Sequence, residues 1–591
     1  MRTSPAAAVI LAMIAAACQP DADSADLVLR NAAIYTVNTE QPWADAVAVR
    51  AGMITYVGDD AGVQEYVGAR TKIVDLDGAM LLPGFIDAHS HPLEGATSSV
   101  FFSCGLEPGR DPESWIDHVR QCAVDQTELD WVLGGGHSIR DLIDIGRMPK
   151  EILDEAVPDR PVALMEGSSH SYWVNSVALA EVGITAETPD PPGGVIVKHP
   201  RTGEPTGLLL DSAGDNTVHA ALPKTPQIQA LRAQSLDLAQ QMLAENGITS
   251  VTVARVYWQR GNLDSWLDGE REDRLTSRTV LALWTYPDLD DATQLAALKD
   301  RYSNDPESLL RVSQIKFYSD GLTSNNTAAV LKPYTRLIHE HADPLGLNYF
   351  DEERLTRYIT ELERVGFDIH IHAIGDRGVR ESLNAIQAAQ AANPELAGQR
   401  RHQITHASMI HPDDLPRFAE LGVVPNIQSN FRQRAAGRNT GRRRSVVEDS
   451  DSLRRPLGYV YDSGARLVLS SDWDVATMSP FRTIHNLANG RETYGGFESV
   501  TEDTGAMIAL AIRAYTLGAA WVMQQDDRTG SIEVDKYADL VVTDRNLFET
   551  PASEIDGTQV LWTLLGGEEV YRADGFEPTE ATPSAAKGDQ P

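Results

Sequence analysis

Apolar and polar residues alternate with a two-residue period near both ends of the chain. Between those ends, short apolar runs trade places with longer helical patterns. DLVLRNAAIYTV and AVAVRAGMITYVG, within 26–58, are alternating runs, and TKIVDLDG follows after a short helical stretch. GSIEVDKYADLVVTDRNL (530–547) and QVLWTLLGGEEVYRADG repeat that texture towards the other end. A period of two places alternate side chains on one face, so these segments predict strands separated by turns.

Eight apolar runs in the interior predict parallel strands: 81–89, 247–254, 278–286, 312–319, 366–373, 403–407, 423–428 and 466–471. Most are separated by amphipathic helical patterns such as LRAQSLDLAQQMLAEN and DEERLTRYITELERVG. Eight strand–helix units predict an α/β fold closed as a (β/α)8 TIM barrel, with its chemistry at the C-terminal strand ends. The 93–246 stretch between the first and second runs is too long for a connection and predicts a subdomain inserted after the first strand, over the barrel mouth. The polar stretch 576–591 predicts a disordered tail. No internal repeat is evident.

At 591 residues the chain exceeds one ordinary domain, and 42% hydrophobic with 23% charged residues is a globular composition. A formal net charge of −34 argues against nucleic acid or an anionic membrane surface as partner; a small-molecule substrate is expected, which the charge does not identify. Homo-oligomerisation stays open. At the start, Arg2 and the apolar stretch 6–17 precede Cys18 and a polar QPDADSAD, which resembles a bacterial lipoprotein signal (1–18) with Cys18 as the lipidated residue. Secretion with cleavage near Ala17 is the alternative. The apolar stretch is too short to span a bilayer, so a periplasmic, cell-envelope protein held by lipid is expected. Cys104 and Cys122 are the remaining cysteines; they pair in an oxidising compartment or stay as buried thiols.

The candidate chemistry begins at MLLPGFIDAHSHP. His89 and His91, two residues apart at a strand end, share a face and can offer two neutral nitrogens to one metal ion. Lys316, in SQIKFYSDG, lies inside the fourth run, where an ammonium is costly to bury. His370 and His372 in IHIHAIGDRG share a face, and the period alone does not separate them. His406 ends the sixth run, with His402 and His411 flanking it as structural or loop residues. Asp472 and Asp474, in VLSSDWDV, share a side at the end of the eighth. Arg432, Arg434, Arg438, Arg442, Arg443, Arg444, Arg454 and Arg455 follow the seventh run. They form either a carboxylate-binding rim at the mouth or a solvated loop balanced by Glu448, Asp449 and Asp451.

The PGFIDAHSH context resembles the first barrel strand of the amidohydrolase superfamily. WVLGGGHSIRDL, PVALMEGSSHSYWVNSVALAEVGIT, GEPTGLLLDSA, HAIGDRG, ITHASMIHPDDL, AYTLGAAW and WTLLGGEEVY are similar to its amidohydrolase-3, or YtcJ-like, branch across nearly the whole mature chain. The resemblance implies a β-sandwich built from both termini (26–80 and 525–575) around a catalytic barrel (81–92 and 247–524). It implies a site of one or two divalent ions, zinc by ligand type, from His89, His91, Lys316, His372, His406 and Asp472, with a CO2-derived carbamate on Lys316. HAIGD selects His372 over His370, and the SD pair selects Asp472, although Trp473 and Asp474 depart from the family's small residue and proline. It also implies metal-hydroxide attack on the carbonyl of an amide-like C–N bond, with Asp472 as general acid and base. His170, Asn175 and Asp211 match polar positions of the insertion; His170 either reaches substrate or closes a contact within the insertion. Asp320 either lines the mouth or shapes the turn after its strand. An esterase or lactonase, or a ligand-binding surface lipoprotein without chemistry, is the alternative function.

Overall fold

The computed structural model describes residues 24–581 except 128, 341, 431–446, 448–456, 491–500 and 502. The signal segment with Cys18, and the arginines of 432–455, lie outside the described residues.

Eight parallel strands in chain order form the central sheet: β1 (Phe85–Ser90), β2 (Ile248–Val256), β3 (Arg278–Trp284), β4 (Leu310–Tyr318), β5 (Asp368–Ala373), β6 (Gln403–His406), β7 (Val424–Ile427) and β8 (Val468–Leu469). The barrel closes just beyond β8. Asp472 N donates to the His89 carbonyl at 2.9 Å, and His91 N donates to the Trp473 carbonyl at 2.6 Å. These bonds stitch the last strand end to the first, the two places from which the first candidate ligands come.

The predicted strand 81–89 is two strands. Met80–Pro83 pairs with Leu540–Thr543 and Ala33–Tyr35 in a flanking sheet, and only Phe85–Ser90 enters the barrel. Gly84 makes the switch, and a Cβ there would stand 2.1 Å from Thr249 Oγ1. Both halves are fully buried, so no polar residue marks the boundary.

Two sheets drawn from both termini face each other beside the barrel, one of five strands and one of six. Leu29, Ile34, Val47, Leu540 and Trp562 fill the space between them. The tail expected from Phe576 is ordered at its start. Phe576 packs against Trp562, and Thr579–Ala581 adds an antiparallel strand to Lys72–Asp75.

The stretch 93–246 divides in two. A six-stranded mixed sheet from Cys104 to Asp211 forms the inserted subdomain. Its Cys104 and Cys122 are joined as a disulfide, which settles their pairing. Helix Pro226–Glu245 instead packs Leu236, Ala239 and Leu243 against barrel residues such as Val253, Ile248 and Phe85, so it is a barrel helix.

Candidate metal centre and its cavity

The HxH pair sits where β1 ends. His89 is its last buried imidazole, and His91 caps helix α1 (Pro92–Phe101), whose Pro92 begins a new direction of chain. Asp87 braces this corner by accepting hydrogen bonds from Ser471 N at 3.0 Å and from the Ser471 hydroxyl. Asp472 then takes a left-handed backbone conformation, φ 53°. That is uncommon for a residue with a Cβ and places its carboxylate over both imidazoles. Asp472 Oδ1 lies 3.2 Å from His89 Nε2 and 3.4 Å from His91 Nε2. One ligand atom from each of these buried residues lies within 4.8 Å of the others.

The other predicted ligands stand beside them. His372 ends β5 and His406 ends β6; their ring centroids are 4.6 Å apart, and His406 is 5.2 Å from His89. Burial, together with neighbouring cationic groups, pushes the His89 and His372 imidazoles well below their ordinary value and His406 to about 4. A neutral imidazole keeps the lone pair that a metal needs. His91 goes the other way. Burial opposes its charge, but hydrogen bonds to Asp472 and Glu94 raise it. Lys316 is wholly buried in β4, its Nζ has no hydrogen-bond partner, and burial holds it far below the usual lysine range. His372 Nδ1 is likewise buried without a partner.

The neighbouring histidines divide by depth. His370 lies behind His89, its Nε2 2.7 Å from His89 Nδ1 and 2.8 Å from Thr405 Oγ1, with Gln314 and Gln403 on its Nδ1. His402 accepts from Ile369 N and faces Glu363, inside the scaffold. Asp320 shapes the turn after its strand. Its carboxylate accepts from Ile374 N, Gly375 N and Ala329 N at 2.8–2.9 Å and so fixes the loop after His372. Asn175 is also structural: its side chain caps a helix at Ala178 N and donates to the Val157 and Arg160 carbonyls.

A cavity lies between the insertion and the barrel mouth. The insertion contributes His170, Tyr172 and Asp211 to it, and the barrel contributes Tyr257, Trp284 and Tyr318. His170 fits both of its predicted roles. Its Nδ1 is 2.9 Å from Asp211 Oδ1, while its ring stacks on Tyr318 and stands 5.0 Å from His372. Tyr349 donates to the same Asp211 oxygen at 3.1 Å.

Sequence reasoning missed Glu94 and Arg255. Glu94 Oε2 is 3.0 Å from His91 Nδ1, and its Oε1 is 3.4 Å from Arg255 Nε. Arg255, near the end of β2, donates to the Tyr318 hydroxyl at 2.9 Å. Burial opposes the charge on Glu94, yet Arg255 and His91 hold its carboxyl below the ordinary value. The three-residue spacing of His91 and Glu94 at a helix start was the available signal.

Residues 72–571 match the model of the amidohydrolase family, amidohydrolase-3 type. The chain belongs to the amidohydrolase family. It is 28% identical to the Arabidopsis thaliana protein LONG AFTER FAR-RED 3, over 93% of this chain and 92% of the relative. It is 27% identical to the N-substituted formamide deformylase of Arthrobacter pascens, over 93% of this chain and 99% of the relative. An uncharacterised metal-dependent hydrolase from Pyrococcus horikoshii has the same fold at TM-score 0.67 and 21% identity, covering 89% and 99% of the two chains. The donor set of this amidohydrolase fits a divalent ion. Two imidazoles and a carboxylate converge in a buried pocket, beside a lysine nitrogen and an imidazole nitrogen left without partners.

Proposed function

We propose that this amidohydrolase cleaves an amide-like, non-peptide C–N bond in a small molecule. The observation that carries the reading is the convergence of His89, His91 and Asp472 on one point, with His372, His406 and the partnerless Lys316 beside it. The kinship with a protein named as an N-substituted formamide deformylase supports the bond type.

One or two divalent ions, zinc by the preference of imidazole and carboxylate donors, would polarise the scissile carbonyl and acidify a water molecule there. Asp472 accepts a proton from the attacking water and returns it to the leaving nitrogen. The His89 and His91 contacts keep this carboxylate ionised and ready to accept. His370 and Glu94 each hold one ligand ring from behind, which fixes the nitrogen presented forward. Lys316, as a neutral amine, adds to CO2. A nitrogen–carbon bond forms, the proton leaves, and the resulting carbamate becomes one more anionic donor. The inserted subdomain roofs the site and limits water, which strengthens every electrostatic contact beneath it.

Arg2, the apolar 6–17 and Cys18 support export and lipid anchoring at the cell envelope, and the disulfide supports an oxidising compartment.

The test is metal analysis of the pure protein together with a panel of N-substituted formamides, N-acyl amines, dipeptides and matched esters. Turnover of amides by metal-loaded protein, lost with a chelator and restored by zinc, is the expected result. Metal-loaded protein that turns over esters alone would overturn it.

A further inference from the structure

Arg232 projects from helix Pro226–Glu245 into the wall of the same cavity, yet it takes no part in the cluster described above. The residue is only 5% exposed. Its Nη2 donates to the Leu222 carbonyl at 3.1 Å, and its Nη1 is buried with no hydrogen-bond partner. The other two cavity guanidiniums each face an acid, Arg255 with Glu94 at 3.4 Å and Arg260 with Asp215 at 3.5 Å. Asp264, whose charge acts on Arg232, is itself paired with Lys224 at 2.8 Å.

A buried cation with an unmet N–H costs stability, and a second cation nearby adds to that cost. Arg260 is that second cation; its guanidinium lies over the Tyr257 ring at 4.0 Å, and its charge is felt at Arg232. In a chain of net charge −34, this puts a local excess of positive charge at one end of an aromatic-walled cavity. Low-dielectric walls focus such a field and favour an anion there. A carboxylate suits the planar donors of a guanidinium, and it would complete the hydrogen bonding that Nη1 lacks.

We infer that this end of the cavity is a carboxylate subsite. Arg232, with Arg260 beside it, binds the anionic end of a substrate whose amide lies at the His89–His91–Asp472 cluster. Tyr172, Tyr257, Trp284 and Tyr318 line the cavity and suit an apolar or aromatic spacer. The substrate class is then an N-acyl or N-formyl amine carrying a remote carboxylate. The inference rests on the amide-hydrolase reading above, and it moves the carboxylate recognition expected of the arginines in 432–455 to a different, buried guanidinium.

The experiment uses the full-length, metal-loaded protein. A series of N-formyl-ω-amino acids of increasing chain length is compared with N-formyl alkylamines of the same lengths, by kcat/KM and by calorimetric binding. The wild-type protein should prefer the carboxylate at one optimal length by roughly tenfold to a hundredfold, as one charge-assisted bond allows. Arg232→Met should lower that preference ratio by a similar factor, mainly through KM, and Arg232→Lys should restore part of it. Cooperative melting checks that both variants fold. Equal kcat/KM for both series in the wild-type protein, or a ratio untouched in a folded Arg232→Met protein, overturns the subsite and leaves the hydrolase reading standing. Selective binding of the carboxylate series without turnover of either supports the subsite and overturns the hydrolase reading.

Discussion

His91 is held between two carboxylates, its Nδ1 3.0 Å from Glu94 Oε2 and its Nε2 3.4 Å from Asp472 Oδ1. With a metal ion bound, donation from Nδ1 to Glu94 would leave Nε2 its lone pair for the ion. Arg255 holds Glu94 in turn and reaches the Tyr318 hydroxyl in the cavity wall. Partners behind a metal-ligating imidazole commonly set its affinity. Glu94→Gln should therefore weaken zinc binding by about tenfold to a hundredfold in a chelator competition. Glu94→Asp should recover part of the loss. Unchanged affinity in the Gln variant would reduce Glu94 to a packing residue.

Asp472→Asn preserves the shape of the side chain but removes its charge and its ability to accept a proton. Proton transfer by a positioned side chain typically contributes about 10²–10⁴-fold. We expect kcat to fall by at least about 10² in the variant. Metal content measured on the same sample separates lost chemistry from a lost ligand. Near-normal turnover with metal in place would remove Asp472 from the proton-transfer role.

Lys316 provides a chemical test of the site that does not depend on turnover. Its Nζ is buried, unpartnered and kept neutral by burial, which is the state that reacts with CO2. Protein prepared in 13C-bicarbonate should show one labelled carbamate signal, absent from Lys316→Ala. The variant should also bind less zinc. A label that persists in the variant places the modification elsewhere.

The barrel and several of the candidate ligands were legible because those residues end strands, and a strand end is marked by an apolar run followed by polar residues. His89, His372, His406 and Asp472 all have that context. His370 and His372 were not separable by period, since residues two apart share a face. They differ in depth along β5, with His370 against Gln314 and Gln403 and His372 against Tyr318 at the mouth. The division of 81–89 between two sheets was hidden for another reason: burial on both sides of Gly84 erases any change in polarity. Glu94, Arg255 and Arg232 belong to separate elements brought together only by folding. Charged residues on helices and strand ends ordinarily face solvent, so nothing local singles out Arg255 or Arg232, and only the three-residue spacing from His91 marks Glu94.

The disulfide gives the insertion a redox dependence that the barrel lacks. Cys104 and Cys122 are separated by 18 positions. On the chain-entropy account, closing a loop of that size stabilises the folded state by about 3 kcal/mol. Cys104→Ser with Cys122→Ser should lower the unfolding midpoint of the insertion and leave barrel helices such as Pro226–Glu245 protected in hydrogen exchange. Equal loss of protection in both regions would mean that they unfold as one unit.

Acid should destabilise the insertion through His137. The ring lies 5.6 Å from Trp173 and 6.4 Å from Trp115, and neither of its nitrogens has a hydrogen-bond partner. Burial pushes it down to about 3, against an ordinary value of 6.5. Above pH 6.5 the imidazole is neutral in both the folded and the unfolded chain, so its ionisation leaves stability unchanged. Below that, the unfolded chain takes up a proton that the folded one refuses, and stability falls with pH until the folded group titrates near 3. At pH 4.5 the loss is on the order of 3 kcal/mol. Fluorescence of Trp115 and Trp173 against denaturant should report it. In His137→Leu the acid slope of the insertion should flatten between pH 6.5 and 4.5, because the group that binds the extra proton in the unfolded chain is gone. A variant as acid-sensitive as the wild type would assign the slope to other groups.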